Sequence, residues 1–185
     1  MIEEPRLQTD LSDAELVERA RAGEDAAMSA LVQRYHGPSY RVALSVVSDS
    51  DTAMDVAQDT FLKAFRALDR FRGDASFKTW LLTITANEAR GVLRKRQWRQ
   101  ETSIDDAGPI SADGIDPAEA AAITDESTRA RTMLERLPEK QKLSVSLRID
   151  EGLSFREIGD VIGSSEGAAR VNYFHGIRRL REMME

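Results

Sequence analysis

The chain has 185 residues, of which 41% are hydrophobic and 31% are charged, and its formal net charge at pH 7 is −6. This length suits one large domain or two small ones, and the absence of cysteine excludes disulfides, thiolate zinc sites and a cysteine nucleophile. The acidic start lacks the apolar core of a signal peptide, and no apolar run approaches the roughly 20 residues of a membrane span, so we expect a soluble, cytoplasmic protein.

Charge is segregated along the chain. Residues 63–99 carry ten basic and three acidic side chains, whereas residues 100–127 carry eight acidic side chains and no Lys or Arg. The acidic net charge is therefore a sum over opposed segments. This segregation says more about binding partners than the sign of the total does.

Hydrophobic spacing predicts four helices in the first half of the chain, after a loose tail at residues 1–11. Apolar residues recur at three- and four-residue steps over about residues 12–22, 24–47, 51–68 and 77–98. Ser12 and Glu15 are spaced as a capping box, and Gly37-Pro38 is expected to bend or break the second helix. No segment alternates like a β-strand, so the sequence predicts an all-α fold.

The middle of the chain reads as a linker. Residues 100–117 combine acidic residues with Gly and Pro and have no apolar periodicity, which is the composition of a flexible tether. Helical spacing resumes near Ala118, and a further helix starts at Pro138. The predicted architecture is two small helical domains, at residues 12–99 and 118–185, joined by the acidic linker 100–117.

Residues 154–175 have the spacing of a helix-turn-helix. Ser154 and Glu157 form a second capping-box pattern, and Gly163 lies where the first helix would end in the left-handed conformation. The longer second helix has no acidic residue over 167–181. Ser165 caps this helix, which then carries Arg170, Asn172, Tyr173, His175, Arg178, Arg179 and Arg181. This face predicts binding in the major groove of DNA; a plain helical hairpin with a solvated basic face is the alternative.

A second candidate site interleaves aromatic and basic residues within residues 70–80. The segment holds Phe71, Phe77 and Trp80 beside Arg70, Arg72 and Lys78, and the following helix adds Asn87, Arg90 and Arg94. Aromatic rings stack on unpaired bases, at about 1–3 kcal/mol for each base, while the cations hold the backbone. The alternative is that the aromatic rings only fill the core, and for Phe77 both readings stay open.

The third predicted helix carries a face of opposite character. Asp55, Gln58, Asp59 and Leu62 are neighbours at three- and four-residue steps. An acidic and amide face ringed by apolar residues suits docking against a basic helix of another protein. A solvated helix face is the ordinary alternative.

Two blocks of sequence resemble the extracytoplasmic-function sigma factors, small two-domain subunits of bacterial RNA polymerase in the sigma-70 family. They are DVAQDTFLKAFRALDRFRGDASFKTWLLTITANEARGVLRKR and, later, LPEKQKLSVSLRIDEGLSFREIGDVIGSSEGA. The resemblance covers about residues 12–182. It implies a region 2-like domain that docks on the clamp coiled coil of core polymerase and melts the −10 element, and a region 4-like domain that reads the −35 element. It also implies that the acidic linker threads polymerase channels toward the RNA exit path.

The resemblance assigns roles to individual residues. The docking residues are Asp55, Gln58, Asp59 and Leu62. The residues implied for −10 binding and melting are Arg70, Phe71, Arg72, Asp74, Ser76, Phe77, Lys78, Trp80, Asn87, Arg90 and Arg94. Those implied for the −35 element are Ser165, Arg170, Asn172, Tyr173, His175, Arg178 and Arg179. The run Ala168-Ala169-Arg170-Val171-Asn172 departs from the Thr-Val-Lys-Ser-Arg type of the family, so we expect an uncommon −35 preference.

The expected partners are core RNA polymerase, promoter DNA and a sequestering anti-sigma protein, because the docking helix keeps its acids and needs no phosphorylation to restore them. We expect a monomer when free, without a cofactor, a metal or membrane insertion. A stand-alone helix-turn-helix regulator and a polymerase-binding adaptor that reads no promoter are the alternatives. An enzyme is disfavoured, since His36 and His175 fall in different predicted domains and no Gly-rich phosphate loop occurs.

Overall fold

The computed structural model of the protein describes residues 11–102 and 132–184. Within these two ranges the secondary structure is helical and contains no β-strand, as the sequence predicted. The helices are α1 (Asp13–Arg21), α2 (Asp25–Val47), α3 (Ser50–Arg66), a 3₁₀ turn (Leu68–Arg70), α4 (Phe77–Thr102), α5 (Glu139–Ile149), α6 (Phe155–Ile162) and α7 (Glu166–Met184). Residues 132–135 are also helical.

The N-terminal domain is a bundle in which α2, α3 and α4 pack against one another and α1 packs on α2. Its end nearest α1 has a core that includes Leu16, Leu31, Phe61 and Leu81, each at most 5% exposed. The expected capping box is present, because the backbone N–H of Ser12 donates to the Glu15 carboxylate over 2.9 Å. Local sequence therefore fixes where the first helix begins.

Of the bend or break predicted at Gly37-Pro38, the break is wrong. Helix α2 runs without interruption from Asp25 to Val47 and contains Pro38. Tyr35 and Val42, on either side of the proline, are both buried in the bundle. Burial of side chains along the whole length of α2 outweighs the loss of one backbone hydrogen bond at proline, because tertiary packing routinely overrides local helix preference.

Helix α4 is longer than predicted, since it extends past Trp98 to Thr102. Arg, Lys, Gln and Glu, which fill its last turns, all favour helix. Residues 100–102 of the predicted linker are therefore helical. The rest of that linker, like most of the predicted N-terminal tail and the start of the second predicted domain, lies outside the described residues.

The C-terminal domain contains the predicted helix-turn-helix, formed by α6 and α7. Ser154 caps α6 in a capping box with Glu157, and Gly163 ends α6 in the left-handed conformation with φ 66°. The Ser165 hydroxyl accepts a hydrogen bond from the backbone N–H of Ala168 at 3.2 Å, which caps α7. Helix α5 packs across both helices.

The two domains pack against each other, which no sequence pattern predicted. Helix α4 contacts α6, and α2 contacts α5. Leu82 and Ala86 of the N-terminal domain share one buried cluster with Leu143 and Ile158 of the C-terminal domain, and each of the four is fully buried. We call this arrangement the closed state. In the described ranges, no helix has the length and apolar character needed to cross a membrane.

Candidate nucleic-acid interface

Three aromatic rings cluster at the start of α4. The Phe71 and Trp80 ring centroids are 5.0 Å apart, and Phe77 lies 5.8 Å from Trp80 and 5.9 Å from Phe71. Phe77 is only 3% exposed, whereas Phe71 and Trp80 are half-buried. In this structure Phe77 is a core residue that supports the other two rings, and its role at the −10 element stays a prediction.

The loop at residues 71–76 is held in place from both ends. The Arg21 guanidinium donates to the backbone carbonyl of Leu68 at 3.2 Å and to that of Phe71. At the other end, the Ser76 hydroxyl accepts a hydrogen bond from the backbone N–H of Thr79 at 3.1 Å and caps α4. Sequence reasoning missed Arg21, because its partners lie 47 and 50 residues away.

The charged side chains at residues 70–74 face solvent. Arg70, Arg72 and Asp74 are exposed, and the Arg72 Nε lies 3.3 Å from the Asp74 carboxylate. Gly73, between them, has φ 79°, a conformation that glycine adopts without steric cost. An exposed turn with cations beside half-buried rings is the arrangement that unpaired bases and their phosphates require.

The polar face of α4 is divided between solvent and the C-terminal domain. Asn87 and Arg94 are exposed. Lys78 and Arg90 are instead paired with Glu151 and Glu139 of the C-terminal domain, at 2.9 Å and 2.8 Å. In the closed state, two of the side chains predicted to bind the −10 element are thus occupied by acidic side chains.

Helix α3 presents the predicted acidic face to solvent. Asp55, Gln58 and Asp59 are exposed, and Leu62 is 57% exposed. Within the described parts of the chain, no ion pair is formed by either aspartate. A row of uncompensated carboxylates beside an exposed leucine retains both the charge and the apolar surface that a basic partner helix needs.

Helix α7 carries the predicted duplex-reading face. Ser165, Arg170, His175, Arg178 and Arg179 are exposed. Arg170 also pairs with Glu166 at 3.1 Å and lies over the Phe155 ring, 5.2 Å from its centroid. This ion pair is exposed and therefore weak, so the Arg170 guanidinium stays available to bind a phosphate.

Two of the residues predicted to bind the −35 element make contacts inside the C-terminal domain. The Asn172 amide donates to the backbone carbonyl of Ala168 at 2.9 Å, and the Tyr173 ring packs 5.5 Å from Phe155. Sequence reasoning missed Val171 and Phe174, which are 53% and 57% exposed on the same helix. Their exposure places apolar surface among the cations of α7, and apolar side chains contact the methyl group of thymine in the major groove.

The Glu157 carboxylate links the helix-turn-helix to the N-terminal domain. It accepts hydrogen bonds from the Ser154 backbone at 2.9 Å and from the Thr79 hydroxyl of α4 at 3.0 Å. Burial alone would raise its pKa, but the hydrogen bonds from Ser154 and Thr79 and the charge of Lys78 together lower the pKa. Glu157 is therefore a charged acceptor across the domain boundary. Within residues 11–102 and 132–184, no three His, Cys, Asp or Glu side chains are grouped to hold a metal ion.

These features define a two-domain helical protein with an aromatic and basic loop in one domain and a helix-turn-helix in the other. Residues 31–99 match the family Sigma-70 region 2, and residues 133–182 match Sigma-70, region 4. The chain belongs to the extracytoplasmic-function sigma factors of the sigma-70 family.

Full-length relatives agree with this membership. The chain is 34% identical to the RNA polymerase sigma-H factor of Pseudomonas aeruginosa, over 96% of this chain and 94% of the relative. It is 33% identical to the ECF RNA polymerase sigma-E factor of Haemophilus influenzae, over 95% and 94% of the two chains. Among solved structures, the sigma factor RpoE in complex with the anti-sigma factor NepR from Bartonella quintana matches with a TM-score of 0.70 and 25% identity, over 84% of this chain and 95% of that one.

Proposed function

We propose that the protein directs core RNA polymerase to a restricted set of promoters and helps to open them, without catalytic chemistry of its own. In this proposal α3 docks on the polymerase through Asp55, Gln58, Asp59 and Leu62. The loop at 70–80 and helix α4 bind and melt the −10 element, and α7 reads the −35 element. The protein then acts in the cytoplasm, where bacterial transcription takes place.

One observation carries the proposal. The chain has a surface for single-stranded DNA in one domain and a surface for duplex DNA in the other. The first is formed by half-buried Trp80 and Phe71, whose ring centroids are 5.0 Å apart beside an exposed basic loop. The second is formed by the exposed cations of α7. A protein that opens a promoter needs the duplex surface to find the site and the single-strand surface to hold it open. The second is needed because the unstacking of bases costs a few kcal/mol that aromatic stacking must offset. A stand-alone helix-turn-helix regulator would use only the second surface.

Run-off transcription tests this function. Purified protein is mixed with bacterial core polymerase and a library of promoter fragments, and the transcripts are sequenced; core polymerase alone is the control. We expect transcripts that share one motif upstream and another nearer the start site. Binding to core without new transcripts would favour the adaptor, and no binding to core would favour the stand-alone regulator.

We also propose that an anti-sigma protein controls this chain when polymerase is not bound. The support is the match in fold to a sigma factor held in complex with an anti-sigma factor, together with a docking helix that keeps its acids. The test is co-purification from the native cell, followed by addition of the captured protein to run-off transcription. A partner that suppresses the transcripts in proportion to its concentration meets the expectation, and a partner that leaves them unchanged contradicts it.

A further inference from the structure

The Glu151 carboxylate is buried between two cations of the other domain. Its side chain is only 4% exposed, although it belongs to a surface loop between α5 and α6. Arg41 of α2 donates to its Oε1 from Nε at 2.9 Å and from Nη2 at 2.5 Å. Lys78 of α4 approaches its Oε2 at 2.9 Å and also donates to the Glu151 backbone carbonyl at 2.8 Å. We call Arg41 and Lys78 the anion site.

Both cations of this site come from the N-terminal domain, on two different helices of its bundle. The site therefore belongs to that domain, and Glu151 is its occupant in the closed state. A buried carboxylate is tolerated only where it is paired and hydrogen-bonded, which explains why Glu151 points into the domain boundary. If the domains separate, Arg41 and Lys78 lose their shared partner and become available to another anion.

Two further polar contacts across the boundary follow the same pattern. Thr79 donates to Glu157, and Arg90 pairs with Glu139, so three glutamates of the C-terminal domain contact polar side chains of α4. The fit at Arg90 is incomplete: among the described residues, its Nη2 is buried without a hydrogen-bond partner. A buried donor without a partner costs free energy, so this contact lowers the stability of the closed state.

We propose that the anion site binds a backbone phosphate of the promoter strand, and that Glu151 occupies it in the closed state as an intramolecular competitor. The proposal rests on the proposed function and adds to it Arg41, a DNA-contacting residue that no sequence motif marked. DNA binding and domain closure then exclude each other, because both need the same two cations.

The chemistry of the site favours a phosphate. Arg binds phosphate oxygens through paired N–H groups and Lys binds them as a point charge, and the two donor groups here already converge on one oxyanion. Lys78 lies two residues before the half-buried Trp80 in the first turn of α4, directly after the loop at 71–76, so the anion site and the aromatic cluster lie at the same end of α4.

Domain closure and DNA binding can be measured in the same full-length chain. Because the protein has no cysteine, Ala26→Cys and Glu182→Cys, both at exposed positions, give one dye in each domain for energy transfer. The variants are Glu151→Gln, the double variant Arg41→Gln with Glu151→Gln, and the control Asp160→Asn. The control removes one acidic charge from α6 in the same domain, at an exposed side chain without an ion pair among the described residues. Binding is measured with a short single-stranded oligonucleotide at several salt concentrations.

We expect Glu151→Gln to lower energy transfer, and Asp160→Asn to leave it unchanged. If about a tenth of the wild-type molecules are open, opening raises the affinity for the oligonucleotide up to about tenfold. Both Glu151→Gln chains lack the competing carboxylate, and where their energy transfer is equal they differ in the phosphate contact of Arg41. The double variant should bind more weakly, with a slope of log K against log salt that is shallower by about 0.7.

Two results would overturn the proposal. Equal energy transfer in Glu151→Gln and wild type would mean that Glu151 does not hold the domains together. Equal affinity and salt slope in the two Glu151→Gln chains would mean that Arg41 does not contact phosphate. Run-off transcription with the unlabelled wild type reports separately on the proposed function, so failure of the site and failure of the function are distinguishable.

Discussion

The backbone of Gly159 in α6 lies against the turn of the helix-turn-helix, so that a β-carbon built there would stand 2.8 Å from the carbonyl oxygen of Ser164. That distance is shorter than a van der Waals contact, and the opposing atom is backbone that cannot rotate away. Gly159 therefore permits α6 and the start of α7 to approach as closely as they do.

We expect Gly159→Ala to lower the free energy of unfolding by about 1–3 kcal/mol, the usual cost of forcing extra volume into a packed site. Urea unfolding followed by circular dichroism measures this. The control is Gly167→Ala in α7, where the nearest atom to a new β-carbon is the Ser165 hydroxyl oxygen at 4.0 Å, and where alanine should stabilise the helix by up to about 1 kcal/mol. Similar midpoints for the two variants would show that the turn adjusts freely.

This turn also shows what the sequence alone could predict. Its signals are local: Ser154 and Glu157 lie three residues apart, and Gly163 takes up the left-handed conformation at the end of α6. Such contacts depend on a few neighbouring residues, so spacing and residue type were enough. Helix starts, the helix-turn-helix and the exposed acidic face of α3 belong to this class.

The closed state depends instead on contacts between residues that are far apart in the chain. Glu151 meets Arg41 and Lys78 across 110 and 73 residues of chain, and no periodicity encodes such a pairing. The same limit applies within the aromatic cluster. Sequence could place Phe77 and Trp80 on one helix, but only the packing of α2 and α4 decides that Phe77 is buried and Trp80 is half-buried.

The stability of the N-terminal domain should depend on alkaline pH through Tyr35. Its hydroxyl donates to the Asp13 carboxylate, and burial, then that hydrogen bond and the Asp13 charge, raise the pKa of Tyr35 far above its ordinary value of 10.0. Because the folded pKa is raised, this contribution is fully present below about pH 10 and is lost as pH rises above it.

Tyr35→Phe removes the hydrogen bond and should cost about 1 kcal/mol near neutral pH. The difference in unfolding free energy between wild type and variant should shrink as pH rises above 10, which urea titrations at successive pH values measure. Tyr40→Phe, whose hydroxyl meets the Ser50 hydroxyl at an exposed position, is the control. A difference that stays constant with pH would contradict the role of Asp13.

Charge reversal on α3 tests the docking surface. Asp55→Arg with Asp59→Arg changes two exposed side chains, so we expect a folded protein that no longer associates with core polymerase, because the complementary charge has become repulsive. Co-purification with core measures association. The control, Asp25→Arg with Asp69→Arg, makes the same charge change at exposed positions elsewhere in the domain and should associate normally. If the α3 variant associates with core polymerase as well as wild type does, α3 is not the docking surface.

Trp80 should report directly on single-stranded DNA. The chain has two tryptophans, so Trp98→Phe leaves Trp80 as the single tryptophan fluorophore. Stacking of a base on its ring should quench its fluorescence when a single strand with the −10 motif is added. In the reciprocal variant, Trp80→Phe, we expect little quenching of Trp98. In transcription, Trp80→Ala should bind polymerase and fail to open promoters, whereas an equal loss of both would indicate a role in the core.

The cations of α7 should carry part of the salt dependence of promoter binding. Arg170 and Arg178 are exposed on the helix that we propose for the −35 element, and each phosphate contact that is lost makes the slope of log K against log salt shallower by about 0.9 for duplex DNA. We expect Arg170→Ala with Arg178→Ala to weaken the binding of the polymerase complex to promoter duplex and to lower that slope by up to about 1.8. Arg19→Ala with Arg136→Ala removes the same charge at exposed positions outside α7 and should leave the slope unchanged. Weaker binding at an unchanged slope would mean that the two side chains act on the structure of the domain and do not contact phosphate.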